Sequence, residues 1–242
     1  MKAYRDEVTG RWHSDLPDMF DTLCKRLSQG EHFRFARYGD GEFNCIYGKP
    51  GANCDGHQYF PDLGNRLREA LLRTNGYCVG LQPLTLASDL WPRIQKDFPD
   101  VNWVDADCIH NASIDGRLHK LFKSLRAVRK FGTGTHRQVM IVGPPYIATA
   151  ANVLSIENYQ LPTKNCWLEF DKVVAWINKT ANRNAYPVVL LCASMMSEVI
   201  IDEFRYSEIT FIDMGSVLDP YVGVKSRRYH HKLNINAGLS PS

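Results

Sequence analysis

The chain has 242 residues, of which 44% are hydrophobic and 23% are charged, and its formal net charge is +3. This composition is that of an ordinary globular protein, so it excludes a disordered, fibrous or repetitive chain. The small positive charge favours a normal solvated surface over a nucleic-acid-binding one, and a chain of this length can fold without a disulfide or a structural metal.

Cysteine usage and hydropathy indicate the compartment. The seven cysteines are scattered without C-x-x-C spacing, and several lie in apolar runs. This pattern predicts buried, reduced thiols and argues against a zinc site. Residues 1–15 carry acids and lack an apolar segment, so they do not resemble a signal peptide, and no stretch predicts a membrane span. We therefore expect a cytoplasmic protein.

The first half of the chain predicts short strands that alternate with helices. Apolar residues recur at helical spacing, and Pro17 and Gly30 fit the first turn and the C-terminal cap of the first helix. The predicted helices span residues 17–29, 61–74, 88–97 and 114–129. The predicted strands span residues 32–37, 77–81 and 102–109.

The second half alternates more regularly between apolar strands and amphipathic helices. The predicted strands span residues 138–142, 188–192 and 209–212, and the predicted helices span residues 167–181 and 194–204. Such alternation is typical of a largely parallel sheet with helices on both faces. We predict a single α/β domain with a Rossmann-like fold over residues 1–242, in which ligands bind beyond the carboxyl ends of the strands.

The first candidate site is the segment Arg-Tyr-Gly-Asp-Gly-Glu at residues 37–42, which ends the first predicted strand. Asp40 and Glu42 supply hard oxygen ligands that suit Mg²⁺ or Mn²⁺, and an ion held there would bridge the phosphates of a nucleotide. Gly39 and Gly41 let the backbone approach a ligand closely. A simpler interpretation is a tight turn whose acids face water, because D-x-E is a short motif.

The second candidate is Ser194, which lies where the strand over residues 188–192 enters a helix. Free backbone N–H groups at a helix start favour a phosphate. The sequence is not a G-x-G-x-x-G or Walker motif, and a plain helix-capping role for Ser194 fits in either case.

The third candidate is the chain beyond the last predicted strand. Residues 212–223 contain acids and glycines, including Ser216 and Asp219, and a basic run follows at residues 225–232. Arg227 and Arg228 in that run suit a diphosphate leaving group, because arginines form paired hydrogen bonds with phosphates. A solvated basic tail is the competing interpretation.

Three of these segments occur in the order found in a known family. The sequence at residues 37–42, the strand at Val188 and the strand end at residues 212–216 resemble the GT-D-type glycosyltransferases, first described as a domain of unknown function in bacterial glycosylation loci. The resemblance spans most of the chain. It implies a Rossmann-like fold and metal-assisted sugar transfer from a nucleotide sugar, with Asp40 and Glu42 in the metal and donor site. The loop after Ser216 departs from the family's C-terminal motif, so roles for Asp219 and Arg227 rest on chemistry.

Together these features predict a metal-dependent glycosyltransferase. It would move a sugar, from a UDP-sugar in the first instance, to a hydroxyl group of a glycan, a glycoprotein or a hydroxylated DNA base. Asp219, or one acid of the D-x-E pair, would accept the proton of the attacking hydroxyl group. The residues expected to bind the nucleotide sugar are Arg37, Gly39, Gly41, Ser194, Ser216, Arg227 and Arg228.

Two other functions fit the same sequence. One is a transferase that uses S-adenosylmethionine or another nucleotide, with an acid such as Asp213 holding a ribose. The other is a non-catalytic nucleic-acid-binding module that uses the basic run at residues 225–232.

Overall fold

A computed structural model describes residues 1–7, 11–74, 77–126, 137–154, 156–182, 185–227 and 230–231. In these ranges the strands are β1 (Ala3–Arg5), β2 (Trp12–Ser14), β3 (Arg34–Tyr38), β4 (Cys78–Leu81), β5 (Trp103–Asp105), β6 (Val139–Gly143), β7 (Glu157–Gln160), β8 (Val188–Leu191) and β9 (Thr210–Asp213). The α-helices are α1 (Phe20–Gln29), α2 (Asp40–Ile46), α3 (Pro61–Leu72), α4 (Pro83–Leu86), α5 (Trp91–Asp97), α6 (Cys108–Ile114), α7 (His119–Arg126), α8 (Ala148–Leu154), α9 (Phe170–Thr180) and α10 (Met196–Glu203). Short 3₁₀ helices span Pro145–Ile147, Cys166–Glu169 and Asp219–Val222.

Seven of the described strands form one parallel sheet in the order β5-β4-β3-β9-β8-β6-β7. Strand β3 pairs with β4 on one side and with β9 on the other, so the first and last strands of this sheet are neighbours near its centre. Strands β1 and β2 form a separate antiparallel hairpin. The predicted α/β architecture with a parallel sheet is confirmed.

Helices cover both faces of the sheet, and each face has its own apolar core. Strand β8 shows why, because Val188 and Leu190 pack into the core with α1, α6 and α7, whereas Val189 and Leu191 pack into the core with α3, α9 and α10. A strand buried on both faces reads as a continuous apolar run, which is what the sequence contains there. No helix within the described ranges has the length and apolar character needed to cross a bilayer.

The region between β5 and α7 differs from the prediction. The strand predicted over residues 102–109 ends at Asp105, and α6 begins at Cys108. The helix predicted over residues 114–129 is interrupted at Gly116, whose φ of 73° is a left-handed conformation, and α7 begins only at His119. Glycine adopts this conformation at no steric cost, so it ends one helix and lets the chain turn into the next.

Several short elements lie where the sequence predicted none. They are the hairpin β1–β2, the helices α2, α4 and α8, and the strand β7. Strand β7 is at the edge of the sheet, pairs only with β6 among the described strands and leaves Glu157 and Gln160 exposed. An edge strand with polar residues lacks the apolar run by which a buried strand is predicted.

Candidate active site

A cavity of about 920 Å³ lies at the carboxyl edge of the sheet. Its volume lies within the range of ligand pockets, which is about 300–1,000 Å³. Residues that follow all seven strands of the sheet line it, among them Asp40 after β3, Gln82 after β4, His110 after β5, Tyr146 after β6, Leu161 after β7, Ser194 after β8 and Asp219 after β9. Ligands bind in this position in open α/β sheets, so the cavity is the candidate active site.

The D-x-E segment forms the first turn of helix α2 rather than an isolated turn. The Glu42 carboxylate accepts a hydrogen bond of 2.8 Å from the backbone N–H of Gly39, and the Gly39 carbonyl accepts one of 3.2 Å from Phe43. Glu42 therefore supplies the glutamate half of a capping box, a structural role that was not predicted from the sequence. Asp40 is exposed, and its Oδ1 accepts a bond from the N–H of Gly41 at 3.0 Å.

Asp40 and Glu42 both line the cavity. Residues two apart on a helix start in different directions, but Glu42 reaches back to the Gly39 N–H at the start of α2, and its carboxyl group interacts with the charge of Asp40. Among the residues that the structure describes, no three His, Cys, Asp or Glu side chains are grouped as a metal site. Mg²⁺ is usually held by one or two carboxylates together with substrate phosphates. The pair fits that kind of ion, with the exposed Asp40 carboxylate available and one Glu42 oxygen used by Gly39.

Arg37 lies beside this pair and is buried, with 7% of its surface exposed. Its Nε donates to the Ala106 carbonyl at 2.8 Å, and its Nη2 lies 3.4 Å from an Asp107 oxygen. Gly215 packs against the guanidinium so closely that a Cβ there would overlap Nη1. The predicted donor-binding residue Arg37 therefore lines the cavity in a fixed position.

Gly41 lines the cavity and Gly39 lies two residues before it. Other side chains approach both glycines closely. A Cβ at Gly39 would overlap the side chain of Gln82, and a Cβ at Gly41 would stand 3.3 Å from the Cβ of Asn53. Both glycines therefore pack closely against neighbouring residues, and the predicted close approach to a ligand stays a prediction. The neighbours that they accommodate are protein side chains.

Two buried acids lie below the D-x-E pair. Glu198 of α10 is 1% exposed and Asp213 at the end of β9 is 4% exposed, and the two carboxyl groups are hydrogen-bonded. Burial raises the pKa of Glu198 well above its usual range, and the charges of Asp213 and Glu42 add to the effect. Burial also raises the pKa of Glu42 to about 7. These carboxyl groups form an acidic floor, defined as Glu42, Glu198 and Asp213.

Glu198 was not among the site residues predicted from the sequence. A signal was present, because Glu198 interrupts the apolar run from Met195 to Ile201 directly after a buried strand. An acid is almost never fully buried without a partner or a function.

Ser194 lines the cavity in a left-handed backbone conformation with φ of 50°. Its Oγ accepts a hydrogen bond of 2.8 Å from Nδ2 of Asn53. Helix α10 begins at Met196, and no described side chain caps it. The predicted capping role of Ser194 is therefore wrong, because the left-handed turn directs its hydroxyl group to the loop instead. Such strain costs about 1–3 kcal/mol and persists mainly at functional sites.

Asp219 and Arg227 lie at the rim of the cavity with Ser216. Asp219 is 3% exposed and accepts a hydrogen bond from the Ser226 hydroxyl group. Burial raises the pKa of Asp219 to about 6, although Ser226 and Arg227 oppose the rise. The solvated-tail interpretation is wrong for Arg227, since its guanidinium forms a two-point ion pair with Asp55. The prediction for Arg228 lies outside the described residues.

Residues from two unpredicted segments complete the lining. The loop between α2 and α3 contributes Asn53, Asp55 and His57, and the N-terminal hairpin contributes Arg11 and Trp12. The Arg11 guanidinium donates to Asn111 of α6, which fixes the hairpin against the β5 side of the cavity. No local sequence pattern marks either segment as part of a site.

The fold and the cavity define an α/β protein with a ligand crevice at the carboxyl edge of a parallel sheet. No protein-family model matches the chain, and no curated protein matches it. Solved structures do match. One, described as a highly conserved domain of unknown function 1792 with a distinct glycosyltransferase fold, is 17% identical, with a TM-score of 0.60 over 90% of this chain and 81% of that chain. Another, a new glycosyltransferase (DUF1792) from Streptococcus sanguinis, is 16% identical, with a TM-score of 0.63 over 86% of this chain and 85% of that chain.

At these identities the likeness is one of fold. The chain has the glycosyltransferase fold of the structures described by that domain number. The resemblance to GT-D-type glycosyltransferases predicted from residues 37–42 and the two later strands is thus confirmed at the level of the fold.

Proposed function

We propose that the protein is a metal-dependent glycosyltransferase that binds a nucleotide sugar in this cavity and transfers the sugar to a hydroxyl group. One observation carries the proposal. Carboxylates suited to a divalent ion, Asp40 and Glu42, line the same cavity as the cationic side chains of Arg37 and Arg227, on a glycosyltransferase fold. A nucleotide diphosphate needs both kinds of group.

The diphosphate would bind between the D-x-E segment and the rim. Asp40 and one oxygen of Glu42 would hold Mn²⁺ or Mg²⁺, and the bound ion would supply positive charge against the diphosphate. Arg227 would exchange Asp55 for phosphate oxygens, because a carboxylate and a phosphate offer a guanidinium the same two-point geometry. Charge that develops on the departing diphosphate is then stabilised by groups already in position.

Asp219 is suited to accept the proton of the attacking hydroxyl group. Burial raises its pKa to about 6, so the carboxylate is ionised at neutral pH and is a stronger base than an exposed one. The sugar carbon would pass through an oxocarbenium-like state, as in other glycosyl chemistry.

The acceptor would be a glycan or glycoprotein hydroxyl group, or the hydroxyl group of a modified DNA base. It would enter beside the N-terminal hairpin, where Trp12 lines the cavity and offers an aromatic surface. A UDP-sugar is the donor that we would test first. The alternative with S-adenosylmethionine has less support, because Asp213 is buried and bound to Glu198 and to the N–H of Gly215 at 2.9 Å.

Thermal stability with a panel of nucleotides and nucleotide sugars, each with and without Mn²⁺, tests the proposal. Ligands that bind the native state raise the melting temperature by mass action. We expect a metal-dependent rise with UDP or a UDP-sugar that is lost in Asp40→Asn, followed by transfer to a hydroxyl acceptor. No rise with any nucleotide sugar, together with one for S-adenosylmethionine or DNA, would overturn it.

A further inference from the structure

His57 lies in the loop between α2 and α3 and lines the cavity. Asn53 holds its backbone twice, since the His57 N–H donates to Oδ1 of Asn53 at 3.0 Å and the Asn53 N–H donates to the His57 carbonyl at 2.9 Å. Asn53 is itself hydrogen-bonded to Ser194 at 2.8 Å. These bonds give His57 a fixed position at the cavity.

The contacts of the His57 ring determine where its proton lies. The backbone N–H of Cys166 donates to Nδ1 at 3.4 Å, and the Cys166 thiol donates to the Ala193 carbonyl at 3.1 Å. Nδ1 is therefore an acceptor. Burial lowers the pKa of His57, although the charge of Asp55 opposes this effect. The ring is thus neutral at pH 7, and its single proton is on Nε2.

The N–H group at Nε2 is available to a ligand. It has no hydrogen-bond partner among the described residues, and it is not one of their buried polar atoms that lack a partner, so it has accessible surface. A second hollow that His57 borders, beside Phe60 and Met195, has no volume for a water molecule. A ligand of Nε2 would therefore occupy the large cavity.

The protein itself places an anion near this ring. The Asp55 carboxylate is bonded to Arg227, and burial opposes its ionisation. Arg227 outweighs burial and lowers the pKa of Asp55, and the electrostatic effect of His57 acts in the same direction. Surroundings that favour a carboxylate also suit a phosphate, since both are anionic oxygen acceptors.

We propose that the N–H at Nε2 of His57 donates a hydrogen bond to the phosphate group that replaces Asp55 at Arg227. This inference rests on the proposed function and gives the diphosphate a second ligand. Arg227 supplies the positive charge, and His57 adds a neutral donor. Both Asp55 and His57 donate their backbone N–H groups to Oδ1 of Asn53, at 3.0 Å each, so one loop carries the resident anion and the donor.

Calorimetric titration with inorganic pyrophosphate and with UDP, both in Mg²⁺, tests the assignment. Pyrophosphate has two linked phosphate groups, as UDP has, but neither the base nor the ribose. His57→Phe keeps a flat ring and removes the donor. Loss of one hydrogen bond to a charged group weakens binding by about tenfold or more, and we expect this loss for both ligands.

Two variants at the same position separate the donor from the support that His57 gives to the loop. In His57→Gln the amide can accept from the Cys166 N–H and still donate, so both affinities should stay within about threefold of the unmodified protein. His57→Glu keeps the acceptor for Cys166 but replaces the donor by a negative oxygen. It should weaken both ligands by more than His57→Phe does, and it tests the assignment even where His57→Phe does not fold.

His119 on α7 provides a matched control. Its Nδ1 also contacts the backbone, at 2.8 Å from the Gly116 carbonyl, but His119 does not line the cavity. His119→Phe should therefore leave both affinities unchanged.

Three results would overturn the assignment in different ways. If folded His57→Phe and His57→Glu bind both ligands as tightly as the unmodified protein, His57 has no role and the proposed function stands. If the variants weaken UDP alone, or if unmodified protein binds UDP but not pyrophosphate, the ligand of Nε2 is not a phosphate. Unmodified protein that binds neither UDP nor any nucleotide sugar would overturn the proposed function, and the assignment with it.

Discussion

Arg227 and Asp55 form a two-point ion pair at the rim of the cavity, with Nη1 2.5 Å from Oδ1 and Nη2 2.7 Å from Oδ2. Burial opposes ionisation of Asp55, but the bonds and charge of Arg227 outweigh it and lower the pKa of that carboxyl group. The pair holds the guanidinium in a fixed position, from which its charge also acts on Asp219. If the proposed donor binds here, Asp55 both positions the guanidinium and competes with the phosphate groups for it.

Variants of this pair should change nucleotide affinity in opposite directions. Asp55→Asn removes the competing charge, so we expect UDP to bind more tightly. Arg227→Ala should weaken UDP binding by about tenfold or more, because a charge-assisted bond to phosphate is lost. Arg227→Lys keeps the positive charge but not the paired donors of the guanidinium. Its affinity for UDP should lie between those of Asp55→Asn and Arg227→Ala. If calorimetry shows that Asp55→Asn and Arg227→Ala weaken UDP binding equally, Asp55 does not compete with UDP for Arg227.

Glu42 has two roles that substitution can separate. Glu42→Ala removes the bond to the Gly39 N–H and should lower the free energy of unfolding by about 1 kcal/mol. Glu42→Gln keeps a capping side chain and should leave stability close to that of the unmodified protein. Both should lose transfer, because neither carries a carboxylate. Urea unfolding and a transfer assay measure the two effects, and an active Glu42→Gln would rule out a metal-binding role for the charge.

The Ser226 hydroxyl group should set the acid limit of the reaction. Its hydrogen bond favours the ionised form of Asp219 and so lowers the pKa of that carboxyl group, which burial has raised to about 6. Ser226→Ala removes this effect, and the pKa of Asp219 rises further. If Asp219 is the base, kcat/KM decreases as the pH drops below the pKa of Asp219. In Ser226→Ala this decrease, the acid limb of the pH profile, should therefore occur at higher pH. An unchanged limb would assign the base to another residue.

Gly215 and Gly223 form a matched pair of substitutions. Both have left-handed φ values, 52° and 81°, so alanine at either position is strained. At Gly223 no described atom lies within 4 Å of the added Cβ, whereas at Gly215 the Cβ would overlap the Arg37 guanidinium. Each variant should lose about 1 kcal/mol or more of stability. Only Gly215→Ala should also lose nucleotide binding, and equal affinities in the two variants would argue against a role for Arg37.

The sequence predicts those parts of the molecule that depend on local patterns. Apolar runs such as residues 188–192 identify the buried strands, and the polar segments that follow them identify the edge of the sheet where the site lies. The helix α2 was missed because its first turn, Asp40-Gly41-Glu42, contains a glycine and two acids typical of a loop.

Contacts between distant segments were beyond local patterns. Asn53 reaches Ser194 across 141 residues of sequence, and Asp55 reaches Arg227 across 172. Nothing in the loop between α2 and α3 marks these partners, since an asparagine and an aspartate in a polar loop are ordinary turn residues. Glu198 differs from these residues, because a single charged residue within an apolar run can be recognised in the sequence. Helical periodicity alone gives no reason for the charge at that position.

The pairing of β3 with β9 has a consequence for how the protein is made. Phe35 lies opposite Ile212, so the cavity joins residues from opposite ends of the described chain and is incomplete until β9 has left the ribosome. A ligand that needs the complete cavity cannot then stabilise an early folding intermediate. Until that moment β3 presents an open, apolar edge in what will become the middle of the sheet, and such an edge favours aggregation. The pairing of β9 with β3 should therefore be the step that protects this edge from misassembly.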